Sequence, residues 1–398
     1  MKQQTIAINT PYPHADAYGS LSMPVYNTCA YEFSTAADMT DAFTGKVLEP
    51  DYSRTMNPTV THLEDIVKAL TGAANVFAFN SGMAAISNTF ISLTATGKNI
   101  VTSRHLFGNT YSLITKTLKR FDVESRFADF TKPVDVEVTV DENTACIFLE
   151  IITNPQMEVA DLSEIAKIAH KHNIPLVADT TMIPFTEFRS HDLGVDVEIV
   201  SSTKYLSGGA TSLGGLVIDY GTFPIVNERI RFEMLFNVGG YMTPHAAYMQ
   251  TLGLETLNAR YTLQASNALQ LSQRLAEQMG KAGWHTLKAV NYIGLPSHPY
   301  HAMAQRQFGK TGGAMLTLEL EDEQACYDFI NSLHLIHRAT NLFDNRTLAI
   351  HPYSTIFGNF TPEEKAAMDV LPTLIRISVG LEDVDDLFAD IEQALPRR

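Results

Sequence analysis

The chain has 398 residues, 45% of them hydrophobic and 9% aromatic, which is about two to three domains' worth by length and ample for a buried core. Lys and Arg total 29 against 44 for Asp and Glu, a formal charge of -15, and with no basic patch in view nucleic acid is excluded as a partner. The richest basic stretch, KTLKR at 116–120, reads as the solvated end of a helix. Three cysteines, Cys29, Cys146 and Cys326, are odd in number and far apart, which argues against a disulfide framework and a Cys-based metal site. No apolar run reaches the roughly 18 residues of a membrane span, and the N-terminus lacks a signal-like apolar core. A soluble, cytoplasmic chain without a membrane partner is expected.

Residues 1–60 are rich in Pro, Tyr, Asn and Thr and lack helical periodicity, so they are expected to form an extended arm reaching a neighbouring subunit. Over residues 61–255, short β-rich runs alternate with amphipathic stretches: NVFAF (75–79), NIVTS (99–103), ACIFLE (145–150), PLVADT (175–180), VEIVSS (197–202) and GGLVID (214–219). Such alternation predicts an α/β domain with a mostly parallel sheet covered on both faces. Asp161 followed by Glu164 resembles a capping box, and Leu162, Ile165, Ala166 and Ala169 recur at helical spacing, so a helix should run to about Asn173. Residues 256–398 read as a smaller α+β domain: a long helix to about 282, strands at 314–321, 347–352 and 374–380, and a final helix. In that helix Val384, Leu387, Phe388, Ile391 and Leu395 form an apolar stripe, with acids on the other face.

In open α/β sheets ligands sit beyond the carboxyl ends of the strands, so polar residues that stop an apolar run are candidates. NVFAF is followed by Asn80, Ser81, Gly82, Met83 and Ala84, a small-residue turn opening a helix whose free N–H groups suit a phosphate. Asp179 ends PLVADT; Glu150 ends ACIFLE, with Asn154 and Pro155 just beyond. In VEIVSSTKYLSGG (197–209) Ser201, Thr203 and Lys204 stand at the strand end, and a lysine at a sheet mouth is costly to desolvate unless paired or used covalently. A phosphate cradle, a carboxylate and an amine at strand ends match what pyridoxal 5'-phosphate (PLP) needs: a Schiff-base lysine, an acid for the pyridine nitrogen, and N–H and hydroxyl donors for phosphate. No P-loop, strand-linked GxGxxG or HExxH competes. The pairs His298/His301 and His334/His337 fit no zinc pattern and read as ordinary polar residues; no metal is expected.

Together YSRTMNPT (52–59), SGMAA (81–85), FGNTY (107–111), Asp179, SSTKYLSGG (201–209) and LIRISVG (374–380) resemble the Cys/Met-metabolism PLP enzymes over nearly the whole chain. That family holds cystathionine γ-synthase, the cystathionine lyases, methionine γ-lyase and O-acylhomoserine sulfhydrylase. The resemblance implies fold type I (aspartate-aminotransferase-like) and a homotetramer built from catalytic dimers. It implies Lys204 as Schiff-base lysine and proton shuttle, with Tyr52 beside it as a catalytic residue, and Asp179 on the pyridinium. Ser201, Thr203, Gly82 and Met83 would bind phosphate, joined by Tyr52 and Arg54 from the neighbouring subunit. Asn154 would lie near the cofactor's 3-hydroxyl, Phe107 would stack on its ring, and Arg376 with Asn341 would receive the amino-acid substrate.

Two departures bear on the reaction. Where most members have a tyrosine on the ring, this chain has Phe107, which stacks but has no hydroxyl to protonate a leaving group. Asn109 stands where methionine γ-lyases carry a cysteine. The segments 209–219, 253–260, 295–301 and 341–355, with Asn341 and Asp344 in place of an SLGG-type sequence, look like O-acetylhomoserine sulfhydrylase. The expected reaction is γ-replacement on an O-acylhomoserine by sulfide or a thiol, giving homocysteine or methionine. Methionine γ-lyase and cystathionine lyase or synthase are the enzymatic alternatives; a PLP-binding protein without turnover is the non-enzyme alternative, which the presence of Lys204, Asp179 and Arg376 disfavours.

Overall fold

In chain order the strands of residues 75–219 are β1 (Asn75–Phe79), β2 (Asn99–Thr102), β3 (Glu124–Phe127), β4 (Thr144–Glu150), β5 (Leu176–Asp179), β6 (Val197–Val200) and β7 (Gly215–Asp219). The computed structural model describes residues 1–12 and 16–395. Two units account for the chain, Met1–Thr94 with Asp196–Thr256 and Ala95–Val195 with Leu257–Arg398.

In the first unit β7 lies between β1 and β6 and runs antiparallel to both, from Phe79↔Gly215 to Asn75↔Asp219 on one side and Val200↔Leu216 to Val197↔Asp219 on the other. β1 and β6 therefore point the same way, and the turns that follow them emerge at one end. The helix Gly82–Leu93 opens on Ser81, whose hydroxyl accepts from the Ala84 amide at 3.1 Å, a cap worth about 1 kcal/mol. The N-terminal stretch, expected to be extended and without helix, holds short helices at Gln3–Asn9 and Ala36–Phe43, the second capped by Thr35, between non-helical segments. A third helix, Pro58–Thr71, starts where Asn57 caps it with Pro at its first position, a sharp start that makes the preceding YSR segment a turn.

In the second unit β3, β2, β4 and β5 pair in parallel in that order. Parallel pairing thus dominates, as the alternating sequence implies, with β7 as the exception. The sequence reading misses β3, because ESRF is polar and half-exposed; β3 pairs only with β2 among the described residues, and an edge position tolerates such a pattern. The helix read from Asp161 is Leu162–Lys171, Asp161 accepting from the Glu164 amide, and Asn173 leaves it at φ 53°.

The rest of the second unit carries the long helix Leu257–Gln278 and a five-stranded sheet of β8 (Leu287–Asn291), β9 (Met315–Leu320), β10 (His337–Arg338), β11 (Leu348–Ile350) and β12 (Leu374–Ser378), ordered β10-β11-β12-β9-β8. The final helix, Val384–Ala394, buries Leu387 and Ile391 as its stripe predicts, and Trp284 stacks on Phe388 with ring centres 5.6 Å apart. One of its acids is not on the wet face. Asp390 is buried and accepts three amides, from His334, Leu335 and Ile336, each at 2.9 Å; these bonds hold it below the usual carboxylate range although burial opposes them. All three cysteines are free thiols, Cys29 exposed and the other two buried. No helix among the described residues is long and apolar enough to cross a membrane.

Candidate active site

The first unit brings Gly82, Met83, Ser201, Thr203 and Lys204 to one end of β1 and β6. The two turns touch: a Cβ on Gly82 would lie 2.8 Å from both Cβ and Oγ of Ser201, so only glycine permits this approach. A Cβ on Gly215 would stand 2.2 Å from the Ser81 carbonyl, so β7 must also begin with glycine to press against the same turn. Thr203 is fixed at this junction, its Oγ1 accepting from the Gly214 amide at 2.9 Å. Lys204 follows directly, its amide donating to the Ser201 carbonyl at 3.1 Å in a backbone turn of φ -81°, ψ -114°. A helix N-terminus, a hydroxyl beside it and a half-buried amine form a cradle for an anion with a nucleophile at its edge. Tyr52 and Arg54 belong to the same unit: the guanidinium lies 5.6 Å from the Tyr52 ring centre and donates to the carbonyls of Leu235 and Phe236. The tyrosine itself is 44% exposed.

The second unit assembles the other candidates. Glu150 and Asp179 are register partners at the carboxyl ends of β4 and β5. Asp179 Oδ1 accepts from the Thr181 amide at 2.9 Å. Glu150 is buried, and Oε1 accepts from the Phe107 amide at 2.6 Å. Burial first, and then the charge of Asp179, hold the Glu150 carboxyl well above its ordinary range, favouring the uncharged acid. This bond fixes the turn that presents Phe107, half-buried at the start of Gly108–Ser112. Sequence reasoning noted Glu150 as a strand-end polar residue without this role; only the pairing of β2 beside β4 brings the turn to it.

Arg376 lies in the middle of β12 and is 3% exposed. Its Nη1 donates to Asn154 Oδ1 at 3.2 Å and its Nη2 to the Asn341 carbonyl at 3.1 Å, so three sequence candidates meet here. Asn154 precedes Pro155 through a cis bond. The Arg376 Nε is buried and has no hydrogen-bond partner. Burial pushes the guanidinium down to about 9, which records a cation held without a carboxylate. A buried fork with a spare donor fits a substrate carboxylate. In the first unit, a cradle that a single methyl would fill fits a phosphate.

The family model described as Cys/Met metabolism PLP-dependent enzyme matches residues 4–396. An O-succinylhomoserine sulfhydrylase of Pseudomonas aeruginosa is 36% identical, covering 93% of this chain and 90% of its own. An L-methionine gamma-lyase of Pseudomonas putida is also 36% identical, covering 98% and 96%. The crystal structure of a protein from Campylobacter jejuni assigned as an O-acetylhomoserine (thiol)-lyase, with a pyridoxyl-lysine phosphate, superposes with a TM-score of 0.93 at 31% identity, covering 99% of each chain.

Proposed function

The chain belongs to the Cys/Met-metabolism PLP-dependent enzyme family, and from that premise we propose that it carries out γ-replacement on an O-acylhomoserine, with sulfide or a thiol as the incoming group and homocysteine or methionine as product. It is a PLP-dependent enzyme of sulfur amino-acid metabolism, and its α/β fold with a mostly parallel sheet and a second, C-terminal sheet is the fold-type-I architecture the sequence implies.

In this reading Gly82, Met83, Ser201 and Thr203 take the cofactor phosphate, with Tyr52 and Arg54 contributed by the neighbouring subunit. Asp179 keeps a proton on the pyridine nitrogen, Asn154 lies by the 3-hydroxyl and Phe107 covers the ring. Bound PLP supplies an electron sink that acidifies the carbon next to the amine. Lys204 Nζ takes up and returns protons of the substrate. Arg376 and the Asn341 segment orient the substrate carboxylate. Tyr52 acts beside Lys204.

Phe107 is the observation that carries the choice of reaction. Its ring presents no acid to the departing group, and Glu150 anchors its turn by the backbone. A carboxylate leaves readily without protonation; methanethiolate does not. An O-acyl ester is therefore the better substrate than methionine. The methionine gamma-lyase relative, as similar as the sulfhydrylase, supports elimination as the second reading. Incubating the holoenzyme with O-acetylhomoserine and sulfide, beside methionine alone, separates them: homocysteine from the first mixture supports γ-replacement, and efficient release of 2-oxobutanoate and methanethiol from the second, with the ester inert, overturns it.

The same reading includes an arm (1–60), a PLP-binding domain (61–255), a C-terminal domain (256–398) and a cytoplasmic homotetramer of catalytic dimers. Exposed Phe43, Val47, Leu48, Phe232 and Phe236 in the first unit support association.

A further inference from the structure

One imidazole of the second unit is gripped from both sides. His105 Nδ1 lies 2.5 Å from Glu158 Oε2 and its Nε2 lies 2.9 Å from Asp369 Oδ2, with the side chain only 15% exposed. The three residues come from separate segments. His105 sits in the turn after β2, two residues before Phe107, and its amide donates to Ser103 Oγ at 3.0 Å. Glu158 closes the loop that carries Asn154, tied by mutual bonds with Thr153 at 3.0 Å. Asp369 follows the helix Pro362–Ala367, where Gln156 Nε2 donates to the neighbouring Met368 carbonyl at 2.5 Å.

Only the doubly protonated ring can donate to both carboxylates; the neutral ring donates to one and turns a lone pair on the other. Burial opposes the charge, but the bonds to Glu158 and Asp369 outweigh it and place the imidazole above its ordinary range. The other charged and titratable groups lining the adjoining cavity are Arg104, Asp129, Asp135 and Tyr300. Of these, Asp129 is paired with Lys132 at 2.8 Å and Arg104 lies over the Phe127 ring at 4.6 Å, so neither displaces the two carboxylates from the imidazole.

We propose that His105, as an imidazolium between Glu158 and Asp369, is a positioning residue that fixes the Phe107 turn against the Asn154 loop, and that loss of its proton loosens both. The inference rests on the reading of Phe107 and Asn154 as cofactor contacts. Because the folded-state pKa is raised, the stabilisation from the two His105 contacts is complete below the free-histidine value of about 6.5 and is lost as pH rises through the folded-state value.

The test uses the holoenzyme and two readouts that need no turnover: the His105 titration by NMR and the visible circular dichroism of the bound cofactor against pH. His105 should titrate above about 6.5, and the dichroism should change with the same midpoint. His105→Gln should hold the high-pH dichroism at every pH. Asp369→Asn is the mild variant, because Asp369 has φ 50°, a conformation asparagine adopts readily. It should lower the His105 midpoint by about half a pH unit, the scale of one exposed pair, and move the dichroism with it. A His105 midpoint at or below about 6.5, or a wild-type pH response in H105Q, overturns the proposal. Phe107→Ala separates the two failures: if it leaves the dichroism untouched, the reading of Phe107 falls and the proposal with it; if it alters the dichroism while H105Q does not, only the proposal falls.

Discussion

Removing the Arg376 guanidinium should cost most of the recognition of an amino-acid substrate. The fork is 3% exposed, spends two N–H groups on neutral oxygens of Asn154 and Asn341, and keeps a buried Nε without a partner. A carboxylate docked there gains charge-assisted bonds to a guanidinium that is already buried. Truncating one member of such a buried pair costs about 2–5 kcal/mol, which is about a 30- to 5,000-fold loss in kcat/KM. Arg376→Lys keeps the charge but not the fork and should fall between wild type and Arg376→Ala. The assay is kcat/KM for O-acetylhomoserine and for its analogue lacking the α-carboxylate, each with wild type and R376A. Wild type should penalise the analogue as heavily as R376A penalises the full substrate, and R376A should distinguish the two by less than about threefold, the signature of a direct pair in a double-mutant cycle. Thermal unfolding of R376A checks that the fold survives the orphaned Asn154 and Asn341 oxygens. A loss on the full substrate below about threefold, or an equal loss on both substrates, refutes the clamp.

Phe107→Tyr restores a phenol where this chain has a phenyl. It should raise elimination from methionine at least about tenfold while changing replacement on the acyl ester little; no change with methionine refutes the leaving-group argument. Glu150→Gln tests the uncharged acid: with the folded-state pKa raised, the wild type loses stability as pH climbs above the unfolded value of about 4.3, and the amide does not. The difference in Tm between E150Q and wild type should therefore grow in favour of the variant as pH rises, and a difference that shrinks contradicts it. Lys204→Ala should abolish any hydride-reducible covalent cofactor link, measured by mass spectrometry after borohydride treatment; a persisting link refutes the lysine assignment.

Strand ends were the readable part of the sequence, since Asp179, Glu150 and the Ser201–Lys204 turn each stop an apolar run where the structure ends a strand. The motif set also conveyed the family, which periodicity alone could not. What was not legible depends on neighbours distant in sequence. The Phe107 amide finds Glu150 across 43 residues, Arg376 finds Asn154 across 222, and His105 finds Asp369 across 264. Nothing local marks His105 as different from the solvent-facing histidines. The antiparallel course of β7 is hidden for another reason: GLVID is buried throughout, and a fully buried strand carries no alternation to reveal its direction. Helical spacing alone puts Asp390 on the wet face, because it cannot see the three amides of 334–336 that the carboxylate accepts.

γ-Replacement is tested at its source by product analysis of the purified holoenzyme given O-acetylhomoserine with sulfide, and methionine alone in parallel. γ-Replacement on the ester yields homocysteine and acetate from the first mixture and little methanethiol from the second. Efficient 2-oxobutanoate and methanethiol formation from methionine, with the ester untouched, contradicts it.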